Sequence, residues 1–412
     1  MVRSVADADF VRRQNRGLVL STLRRLGPMS RTQLAGATGL SHASITAIGG
    51  ELISQRILVD SAETPPARTR GRPAVHVAFN RRACFAAVVE LDVNRARFSL
   101  ADYAGTLVDR TESPVTNELF LDQPAAGFII RNVNGIVDRN PETIGRLGSI
   151  SVSVQGMLDR DADGLAWSPI AHVSGQSIVR PVREALGVTT SLHKRGRLLA
   201  EGTRLLYPEL GERGIAAVFI GSTVAMGLSL PGSASLPDAG ATEFGHMNHI
   251  VDGARCRCGM RGCVEAYAAD YGVLRTAYGV PDQVPPAASV PASAYQELIH
   301  LARTGRRNAV HAFNVAGRAI GFGLSRLMTI SAPAHVVITG PGASAFELMR
   351  AEIEAALKGS LVCRINGPPG LTVHHDEREP IFQGMLMNAL NALDQSFFAA
   401  IGGDVRLNGV AG

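Results

Sequence analysis

Glu243-Phe244-Gly245-His246, followed ten residues later by Cys256-Arg257-Cys258-Gly259-Met260-Arg261-Gly262-Cys263-Val264-Glu265, is the stretch on which the reading of this chain turns. Three thiolates and one imidazole form a closed Cys₃His set, the donor chemistry of a structural zinc site. Gly259 and Gly262 let the backbone wrap tightly around a single ion. His246 and His249 both stand where the fourth ligand is needed. The chain has five cysteines, and Cys84 and Cys363 lie far from the other three. Thiols crowded into so short a span in a chain with no secretory signal read as metal ligands rather than disulfides. One Zn²⁺ per chain, held by Cys256, Cys258, Cys263 and a histidine, is the expectation.

From about Cys84 onward the chain alternates strand and helix patterns. Cys84–Leu91, Ala96–Ala101, Ser149–Val154, Ile215–Ile220 and His335–Thr339 are apolar runs of strand length. Ala312–Ile330 and Ile381–Ser396 have helical periodicity. In the second, Phe382, Met385, Leu386, Ala389, Leu390 and Leu393 share one face, which predicts a core-packed helix. The Pro- and Ala-rich stretch Pro281–Ala294 reads as a surface loop. Such alternation predicts an α/β body in two lobes. At 412 residues, 46% of them hydrophobic, the chain exceeds one ordinary domain. Its longest apolar runs are far too short to span a membrane, and Met1–Phe10 has no apolar signal segment. A cytoplasmic, nucleoid-associated location is therefore expected.

The first eighty residues differ in charge and pattern. They hold eleven arginines against five acids, a net +6, whereas the whole chain is +5, so the remainder sums to −1. A basic head on a neutral body favours a polyanion partner. Leu18, Val19, Leu23 and Leu26 recur at helical spacing before Gly27-Pro28. Ser30-Arg31-Thr32-Gln33 is a capping-box pattern opening a short helix that stops at Gly39. Ser41 then caps a third helix with Ile45, Ile48 and Leu52 on its inner face. Gly49-Gly50 within it cost about 1 kcal/mol each relative to alanine. Ile57-Leu58-Val59 and Val75-His76-Val77 flank a polar loop and read as a hairpin. Together these elements predict a winged helix-turn-helix that binds double-stranded DNA. Its expected DNA contacts are Arg31, Thr32, Ser41, His42, Ala43, Ser44 and Thr46, with Arg68, Arg70, Gly71 and Arg72 of the wing. Arg-Gly-Arg-Pro is extended and narrow enough to place guanidinium groups in a minor groove. The recognition helix lacks Arg, Asn and Gln at its exposed start, so its base readout should be modest.

The Glu-x-Gly-His and Cys-x-Cys-Gly-x-x-Gly-Cys-x-Glu pair resembles the ROK family (repressors, open reading frames, kinases), and a DNA-binding head before such a body resembles its repressor branch. The resemblance implies a ribonuclease H-like, actin/hexokinase-type fold with a sugar cleft between the lobes. It also implies that His246, not His249, is the fourth zinc ligand and faces the sugar, with Glu243 and Glu265 accepting sugar hydroxyls. The implied organisation is a winged helix-turn-helix over 1–80, a first lobe over 81–191 plus 380–402, and a second lobe with the zinc site over 192–379.

Three departures from the kinases of that family stand out. Glu90-Leu91-Asp92-Val93-Asn94 replaces their Asp-x-Gly-Gly-Thr phosphate turn, and Gly221-Ser-Thr-Val-Ala-Met-Gly227 fills two glycines of the second. Leu192-His193 stands where they carry the Asn-Asp pair with the catalytic base, if Glu201 matches the glutamate that follows. Without base and phosphate cradle, phosphoryl transfer is not expected. The resemblance thus implies no enzyme but a repressor of carbohydrate-related genes, a homodimer or homotetramer on an inverted-repeat site, answering to a sugar or sugar-phosphate effector. The alternatives are an active sugar kinase with a DNA-binding head, and a regulator answering only to a protein partner. His193 joins the expected ligand contacts, and the run His193-Lys194-Arg195-Gly196-Arg197 suggests an anionic effector.

Overall fold

The computed structural model describes residues 2–61, 75–211, 214–230 and 241–402. Its head consists of helices Val2–Leu26, Arg31–Thr38 and His42–Ser54. They pack on an antiparallel sheet ordered Met29–Ser30, His76–Phe79, Leu58–Ser61. Local chemistry sets each boundary. Ser30 Oγ accepts from the Gln33 N–H at 3.2 Å while Gln33 Oε1 accepts from the Ser30 N–H at 2.8 Å, which closes the capping box. Gly39 ends that helix at φ 72°, a left-handed conformation that glycine adopts without strain. Ser41 Oγ accepts from the Ser44 N–H and starts the third helix. Ile45, Ile48 and Leu52 are buried as expected, but in the first helix Leu18 and Leu26 are exposed. There the inner face is Val19, Leu20 and Leu23, a rotation that a short apolar count does not resolve. Nothing crowds the Cβ positions of Gly49 and Gly50, and the structure gives no reason for that pair. The hairpin pairs Val59 with Ala78 and Ser61 with His76. Its tip, with Arg68, Arg70, Gly71 and Arg72, lies outside the described residues.

The first lobe is a five-stranded sheet ordered Thr189–Lys194, Leu147–Val154, Phe85–Leu91, Arg95–Asp102, Leu107–Pro114, with its first three strands parallel. Both faces are covered, so the central strands are buried on both sides, mostly by apolar residues but with Ser149, Ser151 and Ser153 also buried in Leu147–Val154. Ala87 and Val89 pack in the cluster of helix Ala125–Asp138, and Ala86 and Val88 with helix Arg378–Gly402. The domain boundary expected between 191 and 192 falls inside strand Thr189–Lys194, all of which pairs with Ser149–Val154.

The second lobe is a sheet ordered Ala241–Thr242, Val224–Ser229, Ile215–Ile220, His335–Thr339, Gly370–His374. Val218 and Ile338 on one face join the core of helices Arg307–Ile330 and Phe346–Lys358, while Ala217 and Phe219 face helix Arg195–Leu206. That helix and Arg378–Gly402 form the layer between the sheets, packed backbone to backbone. A Cβ on Gly202 would overlap the carbonyl oxygen of Pro380, and one on Gly384 that of Leu198. The expected loop at 281–294 has no regular structure until helix Ala292–Arg303 begins.

Head and body share one apolar cluster, in which Val19, Leu23 and Val77 join Leu386, Leu390 and Phe398. A buried polar knot lies in this region. Arg24 donates to both oxygens of Asp394 (2.5 and 2.7 Å), and the Tyr103 hydroxyl donates to Asp394 Oδ1 at 2.5 Å. The guanidinium lies over the rings of Phe79 and Tyr103. Among the described residues no helix is long and apolar enough to cross a membrane.

Candidate metal centre, cleft and DNA interface

Strand Ala241–Thr242 delivers Glu243 and the 3₁₀ turn Phe244–His246 to the edge of the second lobe. Gly245 lies so close to the Val224 carbonyl that a side chain would overlap it. The loop returns through Gly259 and Gly262, both at positive φ, and enters the short helix Glu265–Ala268. This folding brings the donor atoms of His246, Cys256, Cys258 and Cys263 within 4.8 Å of one another. Cys258 Sγ is 3.7 Å from Cys263 Sγ, and His246 Nδ1 is 3.8 Å from Cys256 Sγ. A tetrahedron with metal–sulfur bonds of about 2.3 Å has edges of about 3.8 Å. The four groups can therefore hold a metal ion. His249 is not one of them; its ring packs instead near Tyr267 and Phe322.

Beside this centre a cleft opens between the lobes. His246, Glu243 and Glu265 line it from the second lobe, Gln155, Trp167 and Lys194 from the first. Glu265 is buried. Its Oε2 accepts from the Val224 N–H at 3.1 Å and its Oε1 from the Tyr271 hydroxyl at 3.3 Å. Burial, reinforced by Cys256, pushes its carboxyl up to about 7. The Trp167 ring stands edge-on to His246 at 5.5 Å.

The cationic run is neutralised within the protein. Lys194 pairs with Glu243, Arg195 with Asp92 at 2.6 Å, and Arg197 with Glu201 at 2.8 Å. Arg195 is buried, and its guanidinium lies over the Phe219 ring. Burial alone would raise the Asp92 carboxyl, but Arg195 outweighs it and holds the group below the usual carboxylate range. His193 is not among the residues lining the cleft. It sits within the strand, one residue before Lys194, with Nε2 2.9 Å from Ser191 Oγ. Leu192 is buried in the first-lobe core.

In the head, Thr32, Ser41, His42, Ala43 and Thr46 are exposed, opposite the buried Ile45, Ile48 and Leu52. Ser44 is half-buried, its hydroxyl against that of Ser41. Arg31 is also half-buried and reaches Asp60 of the hairpin at 3.5 Å, so its charge is partly spoken for.

Sequence reasoning missed Gln155, Trp167 and the Arg195–Asp92 pair. Strand ends carried a usable signal. Asp92, Gln155 and Lys194 lie at or just past the C-terminal ends of parallel strands, where open α/β sheets place ligands.

A family model described as "ROK family" matches residues 88–389. The chain belongs to the ROK family. The xylose repressor of Bacillus subtilis is similar to it at 21% identity over 342 residues, covering 81% of this chain and 84% of that one. The Escherichia coli DNA-binding transcriptional dual regulator NagC is 23% identical over 359 residues, 86% of each chain. A crystal structure of a ROK family transcriptional regulator, a homologue of the E. coli Mlc protein, superimposes with a TM-score of 0.76 at 20% identity. It covers 95% of this chain and 99% of that chain. That ROK match takes in the head as well as the lobes and agrees with the ribonuclease H-like fold expected from the motifs.

Proposed function

We propose that this ROK protein is a DNA-binding transcriptional regulator, a repressor of carbohydrate-related genes whose cleft binds a sugar effector and whose kinase chemistry is gone. The observation that carries the reading is the helix-turn-helix head sharing one apolar cluster with a two-lobed, sugar-kinase-like body. The relatives named as xylose repressor and as the DNA-binding regulator NagC support it over most of the chain. A homodimer or homotetramer on an inverted-repeat operator follows from the two-fold logic of such heads. A cytoplasmic, nucleoid-associated location accords with that role.

Loss of kinase activity rests on two blocked elements. Asp92, at the place of the first phosphate turn, is engaged by Arg195. The second turn is filled as well. Arg257 Nη1 donates to the Ser222 carbonyl at 2.6 Å, and Glu265 takes the Val224 N–H. The Gly221 N–H donates to the Thr223 carbonyl at 3.0 Å, so it and the Val224 N–H are both committed within the protein rather than turned to a phosphate.

The metal is zinc in a structural role. It requires His246 Nδ1 and three thiolates as ligands and leaves His246 Nε2 as a donor beside the cleft. Zinc fixes the loop that carries Glu243 and Glu265.

DNA binding is tested with Arg70→Ala/Arg72→Ala in the full-length protein. The expected result is weaker operator binding and a salt slope shallower by about 0.9 for each phosphate that is no longer neutralised. Unchanged affinity and slope would remove the wing from the interface.

A further inference from the structure

Gln155 lies one residue past strand Leu147–Val154, at the edge where the first sheet ends and the cleft begins. Its residue surface is only 6% exposed, and neither Oε1 nor Nε2 has a hydrogen-bond partner. The backbone around it is fixed. Its carbonyl oxygen accepts from Ser168 Oγ at 2.8 Å, and Gly156, at φ 128°, abuts the Trp167 carbonyl with no room for a Cβ. Carboxamide and indole therefore belong to one rigid wall of the cleft. Buried polar groups nearly always have partners, and one open at both ends calls for a group supplied from outside.

We infer that Gln155 selects the ligand, and that this ligand is a neutral sugar presenting two adjacent hydroxyls to its carboxamide. The inference rests on the reading of the cleft as an effector site. A primary carboxamide offers an acceptor and a donor side by side. Two neighbouring hydroxyls answer both, one donating to Oε1 and the other accepting from Nε2. An acetamido group cannot do so, because a trans secondary amide points its N–H and C=O in opposite directions. A carboxylate or phosphate dianion brings acceptors only and leaves Oε1 facing another oxygen. Among the described residues lining the cleft, its charge also meets no spare cation, since Lys194 and Arg195 are already paired with Glu243 and Asp92. A neutral sugar leaves both ion pairs intact.

The test is titration calorimetry on the full-length protein with D-xylose, D-glucose, N-acetyl-D-glucosamine and D-glucuronate. The fluorescence of Trp167, the sole tryptophan and itself in the cleft wall, is followed in parallel. A neutral sugar with that hydroxyl pair free is expected to bind at least tenfold more tightly than the acid, whose charge finds no partner, or than a sugar whose acetamido group replaces one hydroxyl of the pair. Gln155→Met, similar in length but without the amide, should lose at least tenfold of that affinity while melting no lower than wild type. If wild type binds a neutral sugar and Gln155→Met binds it equally well, the assignment of Gln155 falls and the effector site stands. Preference for the acid or the acetamido sugar overturns the ligand class. A lower melting temperature for Gln155→Met means that the amide is already satisfied inside the protein, which also overturns the inference. Absence of binding by all four sugars at millimolar concentration removes the effector reading itself.

Discussion

Replacing Asp394 with alanine should loosen the N-terminal helical head while leaving the second lobe intact. The Arg24 and Asp394 side chains are 4% and 7% exposed, and the carboxylate is the guanidinium's only anionic partner among the described residues. Removing it strands a buried cation, a change that costs about 3–5 kcal/mol. Tyr103→Phe removes one hydrogen bond to a charged acceptor, about 1.5–3 kcal/mol. Burial and the Asp394 carboxylate push the Tyr103 hydroxyl far above its ordinary range, so it remains a donor at any working pH. In a Tyr103→Phe background, which leaves no buried hydroxyl without its acceptor, Arg24→Met/Asp394→Leu puts apolar groups in place of both charges and should cost little or even stabilise. A double-mutant cycle should therefore give a coupling of several kcal/mol. Native-state hydrogen exchange is the suitable assay because it separates the head from the rest. In Asp394→Ala the amides of residues 17–26 and 76–79 should exchange about 100-fold faster, the equivalent of roughly 3 kcal/mol at 1.36 kcal/mol per decade. Those of strand Ile215–Ile220 should not change. A coupling below about 0.5 kcal/mol, or equal acceleration in both regions, would refute the argument that this knot holds the head.

Three further outcomes follow from the structure. Gly202→Ala forces a Cβ into the Pro380 carbonyl and should cost about 3 kcal/mol in urea melts, whereas Gly36→Ala, on an exposed helix face with open space, should gain about 1 kcal/mol. Burial, only partly opposed by Arg257, raises the Asp270 carboxyl to about 6, so the folded state binds that proton more tightly than the unfolded chain does. Asp270→Asn should therefore stabilise by up to about 3 kcal/mol at pH 8, with the gain fading as pH falls through 6 and gone below about 4; stability curves at both ends of that window check the sign. Cys256→Ser should lower bound zinc below half an equivalent by metal analysis, and chelation of wild type should lower its melting temperature.

Much of this architecture was legible because local chemistry and tertiary packing agreed. Ser30, Gly39 and Ser41 mark helix ends through their own side chains or backbone freedom, and those ends appear where the sequence places them. Ile215–Ile220 and His335–Thr339 are continuous apolar runs because both their faces are covered, and their limits match residue for residue. Strand Leu107–Pro114 escaped notice because it is a mostly exposed edge strand with a polar sequence. Thr189–Lys194 escaped because Thr, Ser and His interrupt its apolar pattern. The Cys₃His set was legible from spacing, since a tight loop leaves its ligands few other arrangements. The partners of Lys194 and Arg195 were not legible. Asp92 and Glu243 are distant in sequence, and only the folded sheet ends bring them close, so a run that looks cationic on paper is neutral in space.

Helix Arg378–Gly402 also dictates an order of events during synthesis. It covers a face of the first sheet and carries Asp394, the anchor of the head, yet Asp394 is made 309 residues after Phe85. At about 5–20 residues per second that is a wait of roughly 15–60 s. Throughout it Ala86 and Val88 lack their covering helix and Arg24 lacks its anion. The second sheet, by contrast, has all its strands between 215 and 374 and can pair them before the last helix leaves the ribosome. The first-made segments are thus completed last, and a nascent chain stalled before Asp394 carries an unanchored helical head on an open apolar sheet, a species suited to chaperone capture.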